Sequence, residues 1–193
     1  MFDLPCVIFA GGKSSRMGED KALLPFGGYP TLTEFQYQRL KKIFKEVYIS
    51  CKNKEKFSFE ASFIEDPASS QAFAPTAGFV AIFGALKEEK FFALSVDAPF
   101  VDADLIEQLI QSDLLQSSYD ATIARSTNGM EPLCGIYHRS LEDDFRSMLE
   151  NDTHKLGFLL KNKNTNYVHF DCVEPFMNLN HKEEYKKALS LLQ

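Results

Sequence analysis

Between Gly11 and Gly18 the chain runs Gly11-Gly12-Lys13-Ser14-Ser15-Arg16-Met17-Gly18, directly after the apolar run Cys6-Val7-Ile8-Phe9-Ala10. Glycines adopt positive φ and let backbone approach a ligand closely, and successive amides form a concave anion site. Lys13, Arg16 and Lys21 add three positive charges within nine residues. Such a loop can neutralise a triphosphate. It is neither of the two commonest phosphate loops. A P-loop ending in Gly12-Lys13-Ser14 would need glycine at position 7, which is Val7, and the dinucleotide fingerprint would need glycine at position 13, which is Lys13. The alternative on composition alone is a surface turn that happens to be basic.

These residues need a frame to hold them. Short apolar runs alternate with longer amphipathic ones. Strands are expected at Cys6–Ala10, Val47–Ile49, Phe63-Ile64, Phe91–Val96, Ala121–Ala124, Leu133–Tyr137 and Tyr167–Phe170. Helices are expected over Thr31–Phe44, Ala77–Leu86, from an Asp102 or Asp104 cap to about Leu115, over Leu141–Leu149, and from about His181 to Leu192. Strands alternating with helical crossovers imply α/β architecture: a three-layer α/β/α domain with a mostly parallel, Rossmann-like sheet. In such sheets ligands sit beyond the carboxyl ends of the strands. That rule selects Gly11 onward, Ser50, Asp66 and Asp97.

The chain has 193 residues, enough for one domain with a continuous core, and no linker or repeat divides it. Its 21 basic and 27 acidic side chains give a net charge of −6, which argues against a general nucleic-acid binder. Cys6, Cys51, Cys134 and Cys172 are widely spaced, and are expected to be reduced packing residues in a cytoplasmic protein. His138, His154, His169 and His181 lack zinc-ligand spacing. The first residues have neither the basic segment nor the apolar core of a signal peptide, and the longest apolar stretch, residues 72–86, is too short for a bilayer.

The stretch Phe9 to Lys21 resembles the L-A-G-G-x-S-x-R-M-G-x-D-K signature of molybdenum cofactor guanylyltransferases, the MobA family. Asp66-Pro67 with Pro75-Thr76-Ala77-Gly78 is similar to that family's D-x…G-P-L-A-G segment, and Ser95–Phe100 to its C-D-x-P-F motif. Asn178-Leu179-Asn180 followed by Glu183-Glu184 resembles N-x-N-T-P-E-E. The first segment is highly specific; the others are persuasive together.

The resemblance implies a nucleotidyltransferase fold and a reaction in which molybdopterin bearing molybdenum attacks the α-phosphorus of GTP. Gly11 and Gly12, with the backbone of Phe9 and Ala10, would line the guanine and sugar-phosphate pocket, with Ser50, Asp66 and Gly78 completing it. Lys21 would bind the α- or β-phosphate, Arg16 the β- and γ-phosphates, and Asp97 Mg2+, with Asn180 as a second metal or substrate ligand. Residues of about 1–100 would bind nucleotide and about 101–193 the acceptor. Implied partners are molybdoenzyme apo-proteins or their chaperones, with no nucleic acid and no membrane.

Plain structural roles compete with each assignment: a cap or turn for Asp97, a solvated lysine for Lys21, a turn at Asp66-Pro67, and a cap on the last helix for Asn180. Ser50 stands where the family commonly has the longer Asn. Glu131-Pro132-Leu133-Cys134-Gly135 resembles a pterin-pocket segment, though a plain strand entry is the better reading. Two other functions remain open, cytidylyl transfer to molybdopterin or another phosphorylated acceptor, and a non-catalytic GTP-binding module.

Overall fold

The computed structural model describes residues 1–12, 18–67 and 75–192. Among these residues seven strands form one sheet: β1 (Cys6–Phe9), β2 (Val47–Cys51), β3 (Ser62–Glu65), β4 (Lys90–Ser95), β5 (Ala121–Ser126), β6 (Gly129–His138) and β7 (Thr165–His169). They lie in the order β3-β2-β1-β4-β6-β5-β7. β1, β2, β3 and β4 pair in parallel, β5 pairs in parallel with β7, and β6 runs antiparallel to both its neighbours. The mostly parallel sheet expected from the alternating pattern is therefore present.

Among the described residues six helices cover it: α1 (Leu32–Leu40), α2 (Pro75–Ala85), α3 (Ala103–Asp113), α4 (Glu142–Glu150), α5 (Leu156–Lys161) and α6 (Lys182–Ser190). Side chains alternate across β1. Cys6 and Ile8 join a core with α1, α3 and α6, whereas Val7 and Phe9 join a second core with α2, α4 and α5. All four are buried, as befits a central parallel strand covered on both faces. In the second core Phe79 of α2 stacks on Phe145 of α4, with ring centroids 4.2 Å apart and planes 8° from parallel. Such a pair adds about 0.5–1.5 kcal/mol beyond area burial.

Several local expectations change. α1 starts where the Thr31 hydroxyl accepts from the Glu34 amide at 3.0 Å, but stops at Leu40 rather than Phe44. Beyond it the chain turns so that Phe44 bridges Phe2 and buries against the core. β6 begins at Gly129, four residues before the expected Leu133. Its pairing with β5 shifts register between Ile123 and Arg125. Pro132 lies opposite that irregularity, where a missing amide hydrogen does little harm. Ser50 lies inside β2, opposite Phe9 and Ile64, instead of after it. Among the described residues no helix is long and apolar enough to cross a membrane. Cys6, Cys51, Cys134 and Cys172 are free thiols, the first three buried.

Candidate functional site

The chain moves outward from β1 to β2 and β3, then crosses back to lay β4 on the other side of β1. The order of strands thus reverses between β1 and β4, and a crevice opens at their carboxyl ends. Gly11 and Gly12 leave β1 into this crevice and Asp97 follows β4 into it. β6 runs the opposite way, so its amino-terminal part, including Glu131, reaches the same edge of the sheet.

On the β1–β2 side, Phe9, Gly11, Gly12, Ser50, Asp66 and Gly78 line one narrow cleft, together with Lys52 and Pro75. These are six of the residues proposed from sequence for nucleotide. Gly78 is demanded by packing: a Cβ there would lie 2.8 Å from Ser50 Oγ and 3.0 Å from Phe9 Cε1. Burial pushes the Asp66 carboxyl up, with Lys52 pulling the other way. Ala10 is placed differently. Its side chain is buried in the α1 core, its amide donates to the Ser50 carbonyl, and its carbonyl accepts from Lys56 at 3.2 Å.

At the centre, the Lys21 ammonium donates to Asp97 Oδ2, and at 2.9 Å to Asn180 Oδ1. Lys21 opens a 3-10 turn, Lys21–Leu23, capped by Asp20, whose Oδ1 accepts from the Ala22 amide at 3.1 Å. Ala22 is buried and its carbonyl accepts from the Thr33 hydroxyl of α1 at 2.8 Å, which docks the turn. Asp97 Oδ1 accepts from the Ser95 hydroxyl. The Leu179 amide donates to the Asp97 carbonyl at 3.0 Å, fastening the Asn178–Asn180 segment beside Asp97. Asn180 does not cap α6: His181 does, and Glu184 accepts from the amides of both residues. Asp102, not Asp97, caps α3.

α1 also braces the strand end that carries Asp97. Gln36, fully buried, donates to the Val96 carbonyl at 3.1 Å, and Arg39 donates to Gln36 and to the Val101 carbonyl, each at 2.6 Å.

On the β4–β6 side a cavity of about 290 Å3 is lined by Ser95, Asp97, Glu131, Leu133, Cys134, Leu156, Phe176, Asn178 and Asn180, among others. Glu131 accepts from the Ser126 hydroxyl at 2.9 Å, and burial pushes its carboxyl up. Asp97 and Asn180 thus border both the cavity and the Lys21 ammonium.

Lys21, Asp97 and Asn180 come together as the sequence suggested. Lys13 and Arg16 lie outside the described residues. Ser95, Gln36, Arg39 and Lys56 were not singled out from sequence. Only Ser95 carried a signal, being two residues before Asp97 and hence on the same side of an extended chain.

The donor set is of the hard-oxygen kind that a divalent cation takes. Two hard oxygens, from the Asp97 carboxylate and Asn180, converge on one cationic nitrogen. No group of three His, Cys, Asp or Glu side chains able to hold a metal occurs among the described residues.

Comparison with known proteins bears on the same site. Residues 6–166 match the MobA-like NTP transferase domain. The chain is 39% identical over 191 residues to a molybdenum cofactor guanylyltransferase of Campylobacter jejuni subsp. doylei, covering 99% of this chain and 98% of that one. It is 32% identical over 196 residues to the Helicobacter pylori protein of the same name, covering 99% and 90%. The crystal structure of molybdopterin-guanine dinucleotide biosynthesis protein A from Archaeoglobus fulgidus superimposes with a TM-score of 0.82 at 23% identity, covering 97% of this chain and 98% of that one. The loop after β1, the aspartate after β4 and these matches agree: the chain belongs to the MobA-like NTP transferase family and is a nucleotidyltransferase.

Proposed function

We propose that the protein transfers GMP from GTP to molybdopterin bearing molybdenum, forming the molybdenum guanine dinucleotide cofactor and pyrophosphate. One observation carries this reading: Lys21, Asp97 and Asn180 converge between a cleft lined by Gly11 and Gly12 and a separate cavity over β4 and β6. A transferase needs that arrangement, with donor and acceptor meeting at a charged centre. The name that relatives carry, molybdenum cofactor guanylyltransferase, supports this reading.

The nucleophile is a phosphate oxygen already ionised at neutral pH, so no side chain has to remove a proton. Rate acceleration then rests on positioning and on charges placed before the reaction begins. Gly11 and Gly12 bring backbone amides to the phosphates. Lys21 neutralises the α- or β-phosphate and Arg16 the β- and γ-phosphates as pyrophosphate departs. Asp66, desolvated in the cleft, accepts from the ribose or the base, beside Phe9, Ser50 and Gly78. Mg2+, held by Asp97 and Asn180, would neutralise phosphate charge. Residues of about 1–100 form the nucleotide side and about 101–193 the acceptor side of a single domain. The three buried free thiols suit a reducing, cytoplasmic setting. The product would pass to molybdoenzyme apo-proteins or their chaperones.

The test is ligand-induced thermal stabilisation. GTP with Mg2+ should raise Tm more than CTP or ATP at equal concentration. A larger shift with CTP would overturn the guanine assignment in favour of cytidylyl transfer. A GTP shift without pyrophosphate release in the presence of acceptor would overturn catalysis and leave a binding module.

A further inference from the structure

Lys56 lies on a different loop from the glycine-rich segment, yet its ammonium touches both ends of it. Nζ donates to the Ala10 carbonyl at 3.2 Å, where the chain leaves β1, and to Asp20 Oδ2 at 2.8 Å, where the segment ends. The loop carrying Lys56 is itself firmly built. Asn53 caps a 3-10 turn, Lys54–Lys56, by accepting from the Glu55 amide at 2.7 Å, and Glu65 at the end of β3 accepts from the Lys54 amide at 3.0 Å. The Lys56 ammonium also sits 4.9 Å from the centre of the Phe57 ring, and Phe57 stacks on Phe63 of β3.

The neighbouring lysine makes the contrast. Lys54 pairs with Glu65 at the end of the adjoining strand β3 and its side chain is 58% exposed, whereas that of Lys56 is 24% exposed and is aimed at the glycine-rich segment's ends. Charge-assisted hydrogen bonds of this kind are the strong ones, and an ammonium with three donors can satisfy two acceptors at once. The Ala10 carbonyl lies just past the last residue of β1, so Lys56 satisfies a group at the edge of the sheet ladder. Asp20 is the more consequential partner. One of its oxygens accepts from Lys56 and the other caps the turn that starts at Lys21. Lys56 is therefore connected through Asp20 to the residue whose ammonium meets Asp97.

We infer that Lys56 is a positioning residue that clamps the two ends of the phosphate loop, holding Ala10–Gly12 and Gly18–Lys21 in the spacing that binds a nucleoside triphosphate. The clamp rests on the reading of that loop as the triphosphate holder. It acts on ground-state binding: without it, a fraction of molecules has the loop ends misplaced, and apparent affinity falls by that fraction. Once substrate is bound, the loop ends are held by the ligand and turnover proceeds.

The experiment compares wild type with K56M, K56R and D20N. Thermal melts establish folding, steady-state kinetics separate KM from kcat, and amide hydrogen exchange is read at Gly11, Gly12, Gly18 and Glu19. K56M should raise the KM and Kd for GTP about tenfold, the scale of one lost charge-assisted hydrogen bond. Its kcat at saturating GTP should fall less than about threefold and the acceptor KM should stay unchanged. K56R should recover most of the affinity, and D20N combined with K56M should be no worse than the more severe single change. A merely structural lysine would lower Tm without splitting KM from kcat and would not be rescued by arginine. Exchange at the four amides should quicken in K56M in the absence of nucleotide. Unchanged exchange overturns the clamp whatever the kinetics, as does a folded K56M that binds GTP within twofold of wild type. Failure of wild type to bind any nucleoside triphosphate overturns the functional reading instead, and the exchange comparison then decides the clamp alone.

Discussion

The ammonium of Lys21 and the carboxylate of Asp97, 76 residues apart in the chain, form a part-buried ion pair across the switch point of the sheet. Each group leaves a different strand, Lys21 from the loop after β1 and Asp97 from the loop after β4. Parallel pairing of those two strands brings them together. The pair is shared with Asn180, so a cation, an anion and a neutral oxygen meet at one point before any substrate arrives. In the proposed reaction the substrate's own phosphates enter this cluster, and its charges are already in place.

Removing the carboxylate should therefore spare the fold and harm the chemistry. Asp97→Ala leaves Lys21 its Asn180 acceptor, and Asp97 caps no helix. Turnover should fall by about two to three orders of magnitude, the scale of losing a key electrostatic stabiliser, with Tm within a few degrees of wild type. Pyrophosphate release beside a thermal melt checks this, and near-normal turnover in a folded variant would take Asp97 out of the reaction.

Asn180 contributes a neutral acceptor, so its loss should be milder. Asn180→Ala should lower kcat/KM by about three- to tenfold, in line with roughly 0.5–1.5 kcal/mol for an ordinary hydrogen bond. The Asn180 and Leu179 amide bonds to Glu184 and Asp97 involve backbone and survive the change. Steady-state kinetics over both substrates would expose a larger effect.

Gly78 tests how tightly α2 approaches the cleft beside β1 and β2. Gly78→Ala forces a methyl group against Ser50 Oγ and Phe9. Overpacking of this kind costs about 1–3 kcal/mol, and GTP affinity should fall with stability because both neighbours line the cleft. Adding Ser50→Ala removes the nearer obstacle and should recover part of the loss. A double variant less stable than Gly78→Ala would contradict the contact.

Stability at low pH should follow a carboxylate at the opposite edge of the sheet. Asp113 is buried at the end of α3 and accepts from Lys90 at 2.6 Å, His138 at 2.8 Å and Thr122 at 2.7 Å. Burial raises its carboxyl, but the hydrogen bonds from His138, Lys90 and Thr122 outweigh this and hold it at about 2, below the ordinary 3.8. A depressed folded-state pKa contributes stability that is complete above the unfolded value and is lost as pH falls from about 4 to about 2. The shift corresponds to roughly 2 kcal/mol, or several degrees of Tm at this chain length. Asp113→Asn should lower Tm at pH 7 and lose its deficit relative to wild type as pH approaches 2. Melts across that range check it, and a deficit independent of pH would contradict the assignment.

Much of the candidate site was legible because strand ends mark it. Gly11, Asp66 and Asp97 each follow a short apolar run, and the loop from Gly11 to Lys21 concentrates glycine and charge. What was not legible depends on contacts between distant segments. Asn180 precedes a helix and reads equally as its cap or as a ligand, and only the Leu179 bond to Asp97, which sets it beside Lys21 while His181 caps, decides between them. Lys56 looks like any lysine in the run Lys52, Lys54, Lys56, and only the packing of its loop selects it. α5, with six residues, is too short for helical periodicity to register. The irregularity in β6 depends on its pairing with β5 and has no local signal except Pro132.

The central claim is transfer of GMP to a pterin phosphate, and the most direct test follows the label. GTP labelled at the α-phosphate should be incubated with the protein, Mg2+ and molybdopterin bearing molybdenum. The label should appear in a pterin dinucleotide, with one pyrophosphate released per label transferred and a higher kcat/KM than for CTP. Label that stays in GTP, or a higher kcat/KM for CTP, would contradict the account.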